Sequence, residues 1–361
     1  MERSRFKAAV WMVLVFAALV SALPCAAETP PLKVSGLAFG DIYWFAQSNN
    51  PAYQGQNGFW LRRAYLTFDQ QWNPAWSWQV RLEADQTDFA STTSTAATPF
   101  LKTAFVKWDW AGGQSLLAGL QNAPTCRFYE SQWGYRCVER TPLDLEGWAS
   151  SVDAGLGLQG TVAGLPLRYE ALAADGSFQK SLPAAQGQGK RFYLSLVCSP
   201  LDCLDLQAEG DLQNKVNDSQ DGLLTLAQAF ACLHGGPCRL GLLYAQRDLE
   251  PSGGQAFARQ ELVSAFGVWK AGDRLSLFAR VDQLLWENDA TNAGWTYSPA
   301  GLPYLELATG RHTLGVAGVD FAALDQLHVI PNLEMVSYES QSGEGVPAQD
   351  VIPRLTFSVT Y

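Results

Sequence analysis

The chain is 361 residues long, with 25 Lys and Arg against 35 Asp and Glu and a formal net charge of −10 at pH 7. That acidic balance excludes a nucleic-acid partner, because neutralising a phosphate backbone needs a basic face. Only 17% of the residues are charged, while 47% are hydrophobic and 12% aromatic, a composition apolar enough to face lipid.

The first element is a leader. MERSRFK carries Arg3, Arg5 and Lys7, an uncharged apolar run follows from Ala8 to Leu23, and PCAAE supplies small residues. This is the pattern of a secretory signal peptide over residues 1–27, cut near Ala27; the flanks suit cleavage better than a retained membrane anchor. Nothing later approaches the ~18 apolar residues of a spanning helix. An exported chain of this composition that crosses a membrane without helices must cross it with strands.

Period-two alternation begins at VSGLAFGDIYWFAQS (34–48) and leads into the loop NNPAYQGQNG. FWLRRAYLTFDQQW (59–72) then turns at Asn73-Pro74-Ala75 into WSWQVRLEADQT (76–87). There Trp76, Trp78, Val80, Leu82 and Ala84 share one face, and Ser77, Gln79, Arg81, Glu83 and Asp85 the other. Further strands are expected at about 99–111, 113–124, 152–162, 166–177, 189–199, 204–215, 223–233, 238–249, 259–272, 274–286, 311–322, 326–339 and 351–361. Tight connections such as Gly112 and Ala163-Gly164-Leu165 alternate with long polar ones. The long ones include QTDFASTTSTAATP, residues 125–150, ADGSFQKSLPAAQGQG and ENDATNAGWTYSPAGLPYLELATG. Sixteen strands with this alternation are the pattern of an all-β class, a transmembrane antiparallel β-barrel of the outer membrane of a Gram-negative-type cell. It would be a single barrel over 28–361, with short periplasmic turns and long extracellular loops.

Two local features agree with that reading. Trp72, Trp76, Trp78, Trp108 and Trp110 gather at one end of neighbouring strands, where indole suits the boundary between hydrocarbon and water. The chain ends VIPRLTFSVTY, with Val351, Pro353, Leu355, Phe357, Val359 and Tyr361 on one side and Arg354, Thr356, Ser358 and Thr360 on the other. A sheet in lipid must close on itself, so this strand is expected to pair with the first and face lipid with its apolar side. The terminal aromatic looks like the signal by which outer-membrane barrels are recognised for assembly.

Six cysteines follow the leader, in close pairs: Cys126 with Cys137, Cys198 with Cys203, and Cys232 with Cys238. In an oxidising compartment these read as three local disulfides. Cys232, His234 and Cys238 supply only three metal ligands, so no metal is expected. The loop after the fifth strand, TCRFYESQWGYRCVERTPLDLEGWASS, is rich in charge. Its Arg127, Arg136, Glu139, Arg140, Asp144 and Glu146 are candidates for a pore constriction, with Glu130 nearby. A sixteen-strand barrel encloses a wide aqueous lumen, and a loop folded into it would narrow it. Candidate lumen-lining residues are Arg63, Arg81, Glu83, Asp85, Lys107, Arg168 and Arg354. Acids and bases mix among the inward positions, which predicts weak charge selectivity.

The stretch GFWLRRAYLTFDQQWNPAWSWQVRLEAD (58–85) resembles the early Arg-Arg-Ala hairpin of the phosphate-selective porin O and P family. The sixteen-strand plan, the long third loop and the aromatic terminus carry the likeness over the whole mature chain. The resemblance implies a trimeric outer-membrane porin that passes small hydrophilic solutes or ions passively. It also implies that phosphate selectivity, where the family has it, depends on a basic eyelet and inward arginines. Catalysis is not expected: the three histidines fall too far apart to converge, and no G-x-S-x-G is present. Gly155, Gly157 and Gly160 match G-x-G-x-x-G but lie within an alternating strand and open no helix. Neither a cofactor nor haem is implied. The alternative from another class is a barrel that sheaths or anchors a periplasmic or surface partner.

Overall fold

The computed structural model describes residues 30–85, 98–110, 112–176, 190–217, 220–252, 258–286, 311–339 and 348–361. The expected leader at 1–27 and the connections at 86–97, 177–189, 287–310 and 340–347 lie outside the described residues. Sixteen antiparallel strands close into one barrel. In chain order they are β1 (Lys33–Trp44), β2 (Asn57–Asn73), β3 (Trp76–Asp85), β4 (Thr98–Trp110), β5 (Gln114–Asn122), β6 (Val152–Thr161), β7 (Leu167–Ala174) and β8 (Arg191–Leu201). The second half comprises β9 (Leu204–Asn217), β10 (Gln220–Gly235), β11 (Cys238–Pro251), β12 (Ala258–Gly272), β13 (Leu275–Trp286), β14 (His312–Leu324), β15 (Leu327–Tyr338) and β16 (Asp350–Thr360). Two helices, α1 (Pro124–Trp133) and α2 (Pro142–Leu145), lie between β5 and β6.

The side chains sort by parity as a bilayer requires. On β8, Phe192 and Leu194 are 57% and 51% exposed, while Arg191, Tyr193 and Ser195, which alternate with them, are 1%, 3% and 3% exposed. A soluble sheet would show the reverse, so the outer face of this cylinder is its apolar one. Trp76 stacks on Trp108 with ring centroids 5.8 Å apart, and Trp108 lies 5.2 Å from Trp110, on that outer face beside the first two tight turns.

The closing seam joins β16 to β1, with Leu37 opposite Thr360 and Tyr43 opposite Arg354. Two glycines of β1 make room for the aromatic side chains of the last strand. A Cβ on Gly40 would lie 2.7 Å from Phe357 Cζ, and one on Gly36 would lie 2.0 Å from Tyr361 Cζ. Phe357 crosses Gly40 to stack on Phe59 of β2 at 5.2 Å. Tyr361 crosses Gly36 and donates its hydroxyl to the Tyr65 carbonyl of β2 at 3.3 Å. The terminal aromatic thus clasps three strands, with glycine-and-aromatic pairing of the kind that pins register across a seam.

Among the irregularities of register, bulges in β2 and β4 place extra residues in the lumen. Phe39 pairs with Arg63 and Gly40 with Leu61, so Arg62 is an extra residue on β2. Arg81 pairs with Thr103 and Leu82 with Leu101, so Lys102 is extra on β4. Without these bulges Arg62 and Lys102 would face lipid, at a cost of about 2–4 kcal/mol for a cation at mid-bilayer. Both instead turn inward and are buried.

The three expected disulfides are a correction: all six cysteines are free thiols. Register explains the failure at one turn. Cys232 lies on the inward face of β10 with Gln228 and Phe230, whereas Cys238 shares the outward parity of the exposed Leu240 and Leu242. Cysteines on opposite faces of a sheet cannot meet without breaking the ladder. At the other tight turn, the exposed Cys203 accepts from the His234 amide through its carbonyl at 2.9 Å, and Cys198 stays in register with Leu206. Cys126 and Cys137 both border the lumen cavity described next.

Candidate pore constriction

The segment after β5 folds inward. Pro124 starts α1 where its missing amide costs nothing, and Gly134 ends it with φ of 76°, its amide donating to the Glu130 carbonyl at 3.0 Å. A left-handed residue at that position favours glycine. One face of the loop is an apolar keel. Tyr129, Trp133, Tyr135, Val138 and Trp148 pack with inward residues of β10–β15, among them Phe230, Leu243, Leu262 and Ile330. Trp133 lies 5.4 Å from Phe266 and 5.8 Å from Phe278, and Tyr135 stacks on Phe278 at 4.2 Å. Glycines again give the rings space: a Cβ on Gly241 would come within 2.2 Å of Phe266, and one on Gly318 within 2.5 Å of Phe278.

Polar ties fix the ends of the keel. Thr125 donates to Glu209 at 2.8 Å, and Gln228 donates to the Thr125 carbonyl at 2.8 Å. The Tyr129 and Ser264 hydroxyls are 2.8 Å apart, Arg280 donates to the Arg140 carbonyl at 2.6 Å, and His312 meets Glu146 at 2.9 Å. On the opposite side the loop leaves a cavity of about 490 Å³ against β1–β5. Loop residues Arg127, Glu130, Ser131, Gly134 and Arg136 line it, facing Phe39, Tyr65, Thr67, Arg81 and Lys102 of the wall.

The charges around that cavity are ordered by depth. Lys102 is 3.1 Å from Glu83, which also accepts from Arg63 at 2.7 Å. Arg136 reaches Asp144 at 2.9 Å and Glu130 at 3.2 Å. Arg81 donates to Thr67 at 2.8 Å and lies over the Tyr65 ring. Burial alone would raise the Asp144 carboxyl, yet Arg136 and Arg140 hold it well below the usual carboxylate range. Burial, with the neighbouring Arg63, lowers Arg140 to about 10. Glu139 is fully buried, and although burial opposes its charge, Arg62 and Arg354 pull it down to about 2.

Of the loop residues singled out from sequence, then, Arg127 and Arg136 border the cavity. Glu139 and Glu146 do not, being buried against Arg62 and Arg354 or against His312, and Asp144 lies behind Arg136. Arg127 also meets Glu170 at 3.2 Å. Among the lumen candidates, Arg63, Arg81 and Glu83 form the wall opposite the loop, and Asp85 is in register with Arg63. Lys107 pairs with Asp109 at 2.8 Å, and Arg168 lies over the Phe128 ring of α1. Arg354 is buried against Glu334 at 2.7 Å. Alternation missed Arg62, Lys102 and Asp41. The available signal was the doublet Arg62-Arg63 itself, since two adjacent cations in a lipid-facing strand require a bulge.

A closed sixteen-strand barrel with an apolar exterior and an inward loop defines an outer-membrane porin. The profile of the phosphate-selective porin O and P family matches residues 38–220, just over half of the sequence, and the chain belongs to that family. No curated protein matches the sequence. Among solved structures it is similar to an anion-selective porin from Comamonas acidovorans, with TM-score 0.69 and 11% identity over 92% of this chain and 100% of that one. It is also similar to OmpF of Salmonella typhi in complex with daunomycin, with TM-score 0.64 and 11% identity over 91% and 97%. The trimer form of OmpT from Vibrio cholerae gives TM-score 0.61 and 12% identity over 92% and 98%. At such identities these likenesses speak to the fold. With the family, they make the protein an outer-membrane channel for passive diffusion.

Proposed function

We propose that the third loop is the constriction of this channel and that it gives small hydrophilic solutes and ions a weak preference for anions. The observation that carries this is the charge order at the cavity. Four cationic side chains, Arg81, Lys102, Arg127 and Arg136, border it with one carboxylate, Glu130. The partner acids of these cations, Glu83, Asp144 and Glu170, do not line the cavity. An anion in the cavity meets the cations first, and the acids set further back weaken their field without reversing it. Phosphate is one anion that the family resemblance allows. The chain acts as a channel and not as a catalyst, needs no cofactor or metal, is exported by cleavage near Ala27, and assembles as a homotrimer in outer-membrane lipid.

Single-channel recording in unequal salt tests the reading. The reversal potential is expected to indicate modest anion preference, and Arg136→Ala with Lys102→Ala to move it toward cations. A clear cation preference in the unaltered protein overturns the charge order argued here. Absence of conductance in a folded, heat-modifiable barrel favours instead a structural barrel that sheaths or anchors a partner.

A further inference from the structure

Glu139 lies where the third loop meets two arginines on either side of the closing seam of the barrel. Its Oε1 accepts from Arg62 Nη2 at 3.2 Å and from the Arg140 amide at 2.9 Å. Its Oε2 lies 3.5 Å from Arg354 Nη1. Arg62 belongs to β2 and Arg354 to β16, the two strands that flank β1, and Arg62 Nη1 also donates to the Val138 carbonyl. Behind these cations lie Asp41, 3.5 Å from Arg62, and Glu334, 2.7 Å from Arg354. Glu139 is fully buried and therefore touches no permeating ion.

The bend that leads to it is short and doubly held. The Val138 and Glu139 amides both donate to the Tyr135 carbonyl, at 2.9 and 3.0 Å, and the Tyr135 ring is stacked on Phe278 of β13. One end of the bend is thus fastened to the apolar wall and the other, through Glu139, to the seam. Arg136 and Cys137, between the two fastenings, border the cavity. The keel holds the body of the loop without help from the Glu139 side chain: Trp133 Nε1 donates to the Glu139 backbone carbonyl at 3.2 Å, not to its carboxylate. What Glu139 adds is the far anchor that stretches Arg136 across the lumen.

We infer that Glu139 is a positioning residue for ion selectivity, acting through Arg136 and out of contact with the solute. This rests on the loop being the constriction, as proposed above. Its signature is a sign that a direct electrostatic effect does not give. Removing a negative charge near a pore by itself favours anions. Releasing Arg136 from its station favours cations.

The experiment compares reversal potentials in unequal potassium chloride for the unaltered porin and for Glu139→Gln, Arg136→Ala and the double variant, each shown to fold by heat-modifiable gel migration. The expected result is that Glu139→Gln moves the potential toward cations by at least about half the Arg136→Ala shift and adds nothing to it in the double variant. A shift toward anions, no shift, or full additivity overturns the inference. Should Glu139→Gln fail to fold, Glu139→Asp keeps the charge but shortens the reach and is expected to shift the potential partway in the same direction. No movement with Glu139→Asp overturns the inference too. If Arg136→Ala itself leaves the potential unmoved, the constriction reading fails. If Arg136→Ala moves it and Glu139→Gln does not, only the present inference fails.

Discussion

Along β10–β15 the inward positions carry Leu226, Phe230, Leu243, Leu262, Phe266 and Phe278, whereas along β1–β4 they carry Asp41, Arg63, Thr67, Arg81 and Glu83. A lumen filled only by water would be polar all round. Here one half of the wall carries an apolar patch under the third loop, beside polar ties such as Ser264 and Arg280, and the other half is polar where the cavity wets it. The apolar half therefore governs whether the loop is docked. The polar half governs what passes once it is. Mutations in the two halves should separate these effects.

The largest effect is expected in the apolar half. Trp133 is fully buried between Phe266 and Phe278, and truncating such a side chain to Ala costs about 3–5 kcal/mol. Since the strand ladder does not include Trp133, the cost should fall on docking of the loop. Trp133→Ala is expected to raise conductance and expose the loop to protease, while the barrel still migrates compactly before boiling. Unchanged conductance with a protected loop would break the proposed division of roles. Next comes Gly241→Ala, whose Cβ would meet Phe266 at 2.2 Å. Overpacking of this kind costs about 1–3 kcal/mol. Gly315 is its control, because a Cβ there meets nothing within 4 Å; Gly315→Ala should leave loop protection and conductance unaltered.

How much of this the sequence discloses follows from the same contrast. Parity reads the sixteen strands, the lipid face of β16 and the seam, because one residue of slip would turn a whole strand inside out. The destination of the loop is written more faintly. LLTLAQAFACL on β10 is apolar on both faces, and an inward apolar face in a porin marks where something covers it. Spacing could not reveal Arg62 or Lys102, since a bulge breaks the count on which the reading depends. Nor could it exclude the bridge at Cys232 and Cys238, which are close in sequence but point to opposite sides of the wall. Burial of Glu139 follows from tertiary contacts with Arg62 and Arg354, which lie far from it in the chain.

In the polar half the effects should be on ions and not on folding. Arg136→Ala removes a cation at the cavity while Arg140 continues to attract the buried Asp144. The reversal potential is expected to move toward cations and the heat-modifiable migration to stay the same. A variant that lost its compact migration but kept its selectivity would invert the roles assigned to the two halves.

The smallest effect over the ordinary pH range concerns the acids that anchor the loop. Burial opposes ionisation of Glu139, but Arg62 and Arg354 lower it to about 2, and Asp144 is lowered in the same way by Arg136 and Arg140. A carboxylate depressed in the folded state contributes its full stabilisation above its unfolded value, near 4.3 for Glu and 3.9 for Asp. That contribution is lost as pH falls through the folded value. Anchoring of the loop through these two acids should therefore be constant from neutral pH down to about 4.5 and weaken between roughly 4 and 2. Protease sensitivity of the loop in detergent, assayed after brief acid exposure with a protease active at low pH, should follow that course. Release already complete at about pH 5, above the unfolded value of either carboxyl, would show that these two acids do not control docking. The apolar keel would then hold the loop on its own, and the far anchor at Glu139 would be secondary.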